Sequence, residues 1–225
     1  MIRIAYRLKA AIVALLMLAS NHSFSFDITS MVMKTASHSL FAEGKKLAGG
    51  KKFAEDFTGA SSTSVPAAGS IEVAFSPNEG SEALVLKVIN SAHREIRMLS
   101  YSFTSAPVTQ ALLNAKKRGV DVKLVADQKN NVVEDRSGKA RAALSALANA
   151  GVDVRTISVY AIHHDKIIVS DGASTELGSF NYSAAAASKN SENVLVNWNN
   201  PALAKVYLEH FQRNYRQSVT YESRY

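Results

Sequence analysis

From residue 71 onward the apolar positions follow two periods in alternation. I-E-V-A-F-S-P (71–77) carries the two-residue period of a strand, and S-E-A-L-V-L-K-V-I-N-S-A-H (81–93) carries helical spacing, with Ser81 placed as its N-cap. E-I-R-M-L-S-Y-S-F (95–103) predicts a second strand, alternating at Ile96, Met98 and Tyr101. Thr104 or Ser105 then caps a helix through Lys117, with Pro107 in its first turn and Gly119 past its end. Residues 120–127 predict a third strand, 138–150 a helix closed by Gly151, and 152–157 a fourth strand. Tyr160 to Val169 predicts a further strand, turning at Asp171-Gly172 and returning through Thr175 to Phe180. A short helix (184–189), an apolar strand (193–198) and a final amphipathic helix (201–217) complete the pattern. Leu203, Val206, Tyr207, His210 and Phe211 share one face of that helix, and His210 and Trp198 read as packing residues. The polar segment from Asp127 to Gly138 reads as a mobile rim loop. Strands separated by helices imply crossover connections, so the expected class is α/β: a mixed, largely parallel central sheet flanked by helices on both faces.

The stretch before residue 71 has neither period. Residues 1–25 start with Arg3, Arg7 and Lys9 and continue into the apolar run Ala10 to Ala19, which reads as an export signal; an uncleaved membrane anchor is the alternative. Either places the remainder outside the cytoplasm, in the periplasm or secreted. Residues 26–69 are rich in Ala, Ser, Gly and Lys and read as a linker, in part helical, leaving 70–225 as the catalytic domain. Lysine pairs at Lys45-Lys46 and Lys51-Lys52 could touch a membrane surface or nucleic acid, but the segment reads first as a solvated spacer.

Composition narrows the chemistry. The 225 residues contain no cysteine, which excludes disulfides, thiolate metal sites and cysteine nucleophiles. Three of the net +7 charges lie in residues 1–25, so the rest is only mildly basic, enough to attract a polyanion without specifying one. No Gly-rich phosphate loop, H-E-x-x-H pattern or internal repeat occurs.

The chemically dense stretch is 162–196. His164 and Lys166 lie two apart, Asp171 follows five later, and Gly178-Ser179-x-Asn181 comes next, with Glu192 beyond. On a strand His164 and Lys166 project to one side, as do Ser179 and Asn181. A two-residue loop at Gly172-Ala173 would set His164 opposite Asn181 and Lys166 opposite Ser179, a register that a one-residue slip would destroy. An imidazole, an ammonium, a hydroxyl and an amide together suit a phosphoryl oxyanion, with the imidazole as nucleophile or proton carrier. No carboxylate cluster accompanies them, which predicts chemistry without a metal or other cofactor.

H-x-K-x4-D followed by G-S-x-N resembles the signature of the phospholipase D superfamily, and S-Y-S-F-T (100–104) with K-N-S-E-N (189–193) resembles its secreted bacterial endonuclease branch. The resemblance implies a phospholipase D/nuclease-like fold and a two-step phosphodiester transfer through a phosphohistidine on His164. It assigns Lys166, Ser179 and Asn181 to the phosphate and Glu192 to the imidazole, while Asp171, at a turn, suits support of the hairpin. The mechanism uses two histidines and this chain has one H-x-K, so the resemblance implies a homodimer with two copies of His164 facing one phosphate. Nucleic acid is the leading substrate and phospholipid the alternative; a non-catalytic binding protein would require a degenerate motif, and every position here is filled.

Overall fold

The computed structural model describes residues 62–223. The export signal and the linker as far as residue 61 lie outside the described residues. Eight strands form one sheet: β1 (Ser70–Ser76), β2 (Glu95–Ser100), β3 (Asp121–Asp127), β4 (Asp153–Ile157), β5 (Lys166–Ser170), β6 (Ser174–Gly178), β7 (Glu192–Trp198) and β8 (Val219–Thr220). Among the described residues five α-helices accompany them: α1 (Ser81–Ser91), α2 (Ala106–Lys117), α3 (Lys139–Asn149), α4 (Ala184–Ser188) and α5 (Pro201–Gln217). The strand order is β1-β7-β6-β5-β2-β3-β4-β8.

The sheet is mixed and the class is α/β, but parallel pairing is confined to β2–β3 and β3–β4; the other five pairings are antiparallel. The expected predominance of parallel strands is therefore corrected. Helical crossovers impose parallel neighbours only where α2 and α3 join β2, β3 and β4. The β5–β6 connection is a tight turn, which forces antiparallel pairing.

Both faces are covered. Leu84, Val85, Val88 and Ile89 of α1, Val108 and Leu112 of α2, and Leu144 and Leu147 of α3 pack on Ile96, Met98, Val122, Leu124, Ile168 and Val196. On the other face Ala204 and Phe211 of α5 pack on Leu99, Val125, Ile157, Ile167 and Val169. Central strands buried on both sides read as nearly continuous apolar runs, as L-V-A in β3 and I-I-V in β5 do. α5 does not extend over the β1 end of its face. The row Leu99–Ile167–Leu177–Leu195–Val73 runs across that face by direct pairing, and at its far end Ile71, Val73 and Phe75 are 67%, 54% and 50% exposed.

Several local expectations change. Ser105 caps α2, accepting the Val108 N–H at 3.2 Å. For α1 the N-cap is Gly80 in the left-handed region, while Ser81 turns its hydroxyl to Ser76. The 127–138 loop is pinned: Asn131 is fully buried, its amide donates to the carbonyls of Tyr101 (2.6 Å) and Asp127 (2.8 Å), and its Oδ1 accepts the Phe103 N–H (2.8 Å). A π-helical turn over Lys129–Val133 aims that side chain inward.

Candidate active site

One edge of the sheet collects the chemically dense residues. β2, β3 and β4 end there; β5, antiparallel to β2, begins there with Lys166 beside Ser100; β6 ends there at Gly178 beside Val194, just inside Glu192. Ligand sites in open α/β sheets lie off the carboxyl ends of the parallel strands, and this edge is that end. An open cleft of ≈ 910 Å³ occupies it, lined by His164, Lys166, Ser179, Asn181 and Glu192 together with Asp165, Asn193, Tyr207 and His210.

The five cleft residues meet by a different route from the one expected. The turn is three residues long, with Ser170 opposite Ser174 and Ile167 opposite Leu177, one step away from the expected register. Asp171 (φ 55°) and Gly172 (φ 64°) are both left-handed, the combination that lets the chain reverse this tightly. The slip does not scatter the site, because His164 precedes β5 and Ser179 and Asn181 follow β6. The regular ladder stops where β2 does: Ser100 is the last partner of β5, and Tyr101 instead donates its N–H to the Asp165 carbonyl at 2.9 Å.

His164 is exposed, its ring lies 4.6 Å from that of Tyr101 at 53°, and among the described residues nothing hydrogen-bonds its imidazole. Beneath it Lys166 is buried; its Nζ donates to the His164 carbonyl at 2.8 Å and stands 5.0 Å from the Tyr101 ring centre. Burial lowers the Lys166 pKa, and the charges of Glu192 and Asp165 oppose that loss. Ser179 donates to Glu192 at 2.6 Å and accepts the Asn193 N–H at 3.1 Å. Glu192 thus bonds Ser179 and the Asn190 amide (3.0 Å), and not the imidazole of its own chain. Gly178 has no alternative residue: a Cβ there would lie 2.2 Å from the Asn193 carbonyl oxygen. The buried Oδ1 of Asn181 has no hydrogen-bond partner among the described residues.

Asp171 does not line the cleft. It lies at the opposite end of β5, where its carboxylate accepts the N–H groups of His93 (3.0 Å), Arg94 (2.8 Å) and Glu95 (3.0 Å). Burial alone would raise its pKa, but those donors hold it below the ordinary value. The left-handed turn aims Asp171 at the start of β2, so it fastens the hairpin to the sheet.

Sequence reasoning passed over Asp165, Tyr101 and His210. Strand alternation directed Asp165 away from His164 and Lys166, but the segment is not yet a strand there. His210 Nε2 lies 2.8 Å from Asp165 Oδ2, and its Nδ1 lies 2.8 Å from an Arg213 nitrogen. Burial would raise the Asp165 pKa, but the His210 hydrogen bond and charge bring it below the usual range. The legible signal was that Arg213 and Asn214 follow His210 by one helical turn, so its side of α5 is polar. His163 is buried, its N–H donates to Asp127 at 2.9 Å, and desolvation lowers its pKa against the opposing charges of Asp165 and Asp127.

A sheet with helices on both faces and a phosphate-sized donor set at its carboxyl edge define a phosphodiesterase of the H-x-K type. Comparison with known proteins agrees. Residues 85–215 match the family described as "Cardiolipin synthase, PLD-like domain". The chain is 46% identical to Nuc, a phospholipase D family member of Salmonella typhimurium, over 68% of this chain and 99% of that one, with a TM-score of 0.65. It is 33% identical to a phospholipase D of Rickettsia conorii over 63% of this chain and 67% of the relative, and 29% identical to a mitochondrial cardiolipin hydrolase of Danio rerio over 60% and 56%. The chain belongs to the phospholipase D superfamily and is a phosphodiester hydrolase.

Proposed function

We propose that this hydrolase is an exported, metal-independent nuclease that cleaves phosphodiesters of DNA or RNA. The observation that carries the mechanism is the unbonded His164 imidazole standing over the buried Lys166 in a cleft lined by Ser179 and Asn181. A His164 ring nitrogen attacks phosphorus, the bond to the leaving oxygen breaks, and an acid protonates that oxygen. Water then displaces the histidine from phosphorus, giving its proton to the same group. Lys166 supplies positive charge, and Ser179 and Asn181 supply polar contacts to the non-bridging oxygens. The two carboxylates in the cleft are engaged, Asp165 by His210 and Glu192 by Ser179, which supports chemistry without a metal.

The acid is the His164 of a second copy. Within the chain, His163 is buried with a lowered pKa, and His210 is held between Asp165 and Arg213, so neither is free to serve. The exposed Ile71, Val73 and Phe75 row, continuous with the cleft through Leu195 and Leu177, supplies an apolar surface for a two-fold partner. The identity to Nuc and the endonuclease-like motifs support nucleic acid as substrate. Phospholipid is the second reading, favoured by the names of the rickettsial and zebrafish relatives. Wild type and His164→Ala, assayed in EDTA on labelled DNA and on phospholipid vesicles, separate the readings. DNA cleavage that persists in EDTA and disappears with His164 supports the nuclease, and cleavage that needs added metal overturns its mechanism.

A further inference from the structure

Beside the cleft lies a polar and aromatic patch that the phosphohistidine chemistry does not use. Asp165 Oδ2 is 2.8 Å from His210 Nε2 and 3.6 Å from His163 Nδ1. The Tyr160 ring lies parallel to that of His163, with centres 6.4 Å apart and planes at 22°, and its hydroxyl donates to Gln217 of α5 at 2.6 Å. Arg213, one turn before Gln217 on the same helix, donates to His210 Nδ1 at 2.8 Å. These contacts close a ring from the loop before His164 to α5 and back. A guanidinium only donates, so Nδ1 of His210 must accept and its Nε2–H must point at Asp165. Arg213 is exposed, and among the described residues its guanidinium makes no side-chain hydrogen bond other than the one to His210. Tyr160 is pinned at its hydroxyl and backed by His163, yet 38% exposed, with Val159 and Ile162 on the same loop 56% and 55% exposed.

We propose that this patch seats the nucleotide next to the scissile phosphate, Arg213 holding its phosphate and the outer face of Tyr160 its base, so that the enzyme prefers single-stranded nucleic acid. The inference rests on the nuclease reading. A positive charge beside a rigid exposed ring is the combination that binds single strands without sequence preference. Arg213 and the Tyr160 anchor are separated by one helical turn, roughly 5–6 Å, within the span of one nucleotide's phosphate and base. A base in duplex is stacked and paired and cannot reach the ring.

The test compares full-length wild type, Tyr160→Ala, Tyr160→Phe and Arg213→Ala on a single-stranded oligonucleotide, its duplex, bis(4-nitrophenyl) phosphate and phosphatidylglycerol vesicles. For Tyr160→Ala the ratio of kcat/KM on the single strand to that on the small diester falls about tenfold, more than the ratio for duplex. Tyr160→Phe keeps the ring and stays within about twofold of wild type. Arg213→Ala lowers the salt dependence of oligonucleotide binding by about one phosphate contact. Equal losses on single strand, duplex and small diester overturn the proposal, as does a Tyr160→Phe variant as impaired as Tyr160→Ala. Losses confined to vesicles assign the patch to lipid instead. A wild type that cuts no nucleic acid overturns the nuclease reading itself, whereas a cutting wild type with unaltered variants overturns the patch alone.

Discussion

Ser179 donates its hydroxyl proton to Glu192 across 2.6 Å, so the carboxylate orients the serine while its charge bears on Lys166. The two residues therefore differ in what their loss does to pH dependence. Glu192 raises the Lys166 pKa against burial; removing its charge lets the ammonium deprotonate at lower pH. With the protonated lysine as the active form of the proposed mechanism, Glu192→Gln moves the alkaline limb of kcat/KM toward lower pH. Ser179→Ala leaves that limb in place and lowers kcat by about 10- to 100-fold through the lost contact to the phosphate. Matching shifts of the limb in both variants would sink this division of roles.

The proposed two-fold site would make activity depend on pairs of chains. When wild type is unfolded and refolded with a threefold excess of His164→Asn, random pairing leaves about one-sixteenth of the dimers with two histidines, against the one-quarter that independent chains would retain. Val73→Lys and Phe75→Lys test the surface. Both side chains are half exposed within one chain, so the fold and melting temperature should hold while sedimentation shows monomers and activity falls. Dimers that persist in both lysine variants place the interface elsewhere.

The legibility of this chain in its sequence was uneven for physical reasons. The succession of strands and helices was readable because each crossover writes its period into the chain: Ile96 and Met98 face α1 and α2, while Leu99 faces α5. Strand direction was not, since a two-residue period is the same in either sense, and five antiparallel pairings resulted. The H-x-K and G-S-x-N groups were legible as chemistry, yet their meeting was inferred from a hairpin register that the left-handed Asp171-Gly172 turn shifts by one. They still share a cleft because the edge of the sheet, and not the ladder, gathers them. Tyr101, just past β2, comes beside His164, and His210, on α5, comes beside Asp165, only through the tertiary fold, so their partners were not readable from local spacing.

Asp171 belongs to the motif but acts at the far end of β5. Replacing it with alanine strands three N–H groups, of His93, Arg94 and Glu95, and strains a left-handed position. A loss of about 1–3 kcal/mol in unfolding free energy follows, while kcat measured well below the melting temperature changes by less than about threefold. The contribution also has a pH signature. The folded-state pKa is depressed, so the stabilisation is present above the ordinary carboxylate range and is lost as pH falls through and below it. Asp171→Asn tolerates the left-handed turn and should lack this acid-dependent part. A kcat that collapses in Asp171→Asn with unchanged stability would return the residue to the catalytic set.

Glu176 gives the opposite pH dependence. It is fully buried between β5 and β7, opposite Ile168 and Val196; one carboxyl oxygen accepts the Tyr182 hydroxyl at 2.8 Å and the other has no partner. Burial pushes its pKa up to about 8, the Tyr182 bond opposing only in part. The folded chain therefore holds a proton that the unfolded chain has released. Stability is greatest below the unfolded pKa, near 4.5, falls as pH rises through the window up to about 8, and levels off above it. At about 1.4 kcal/mol per pH unit the window sets a ceiling of about 5 kcal/mol, which local relaxation reduces. Glu176→Gln has the same shape and cannot ionise, so its melting temperature should be flat where wild type declines. The variant is less stable than wild type at pH 5, because its amide buries two N–H donors where the protonated acid buries one O–H, and the gap narrows or reverses at pH 9. Thermal melts of both proteins at pH 5, 7 and 9 decide it, and parallel pH profiles would show that Glu176 is not the group that titrates.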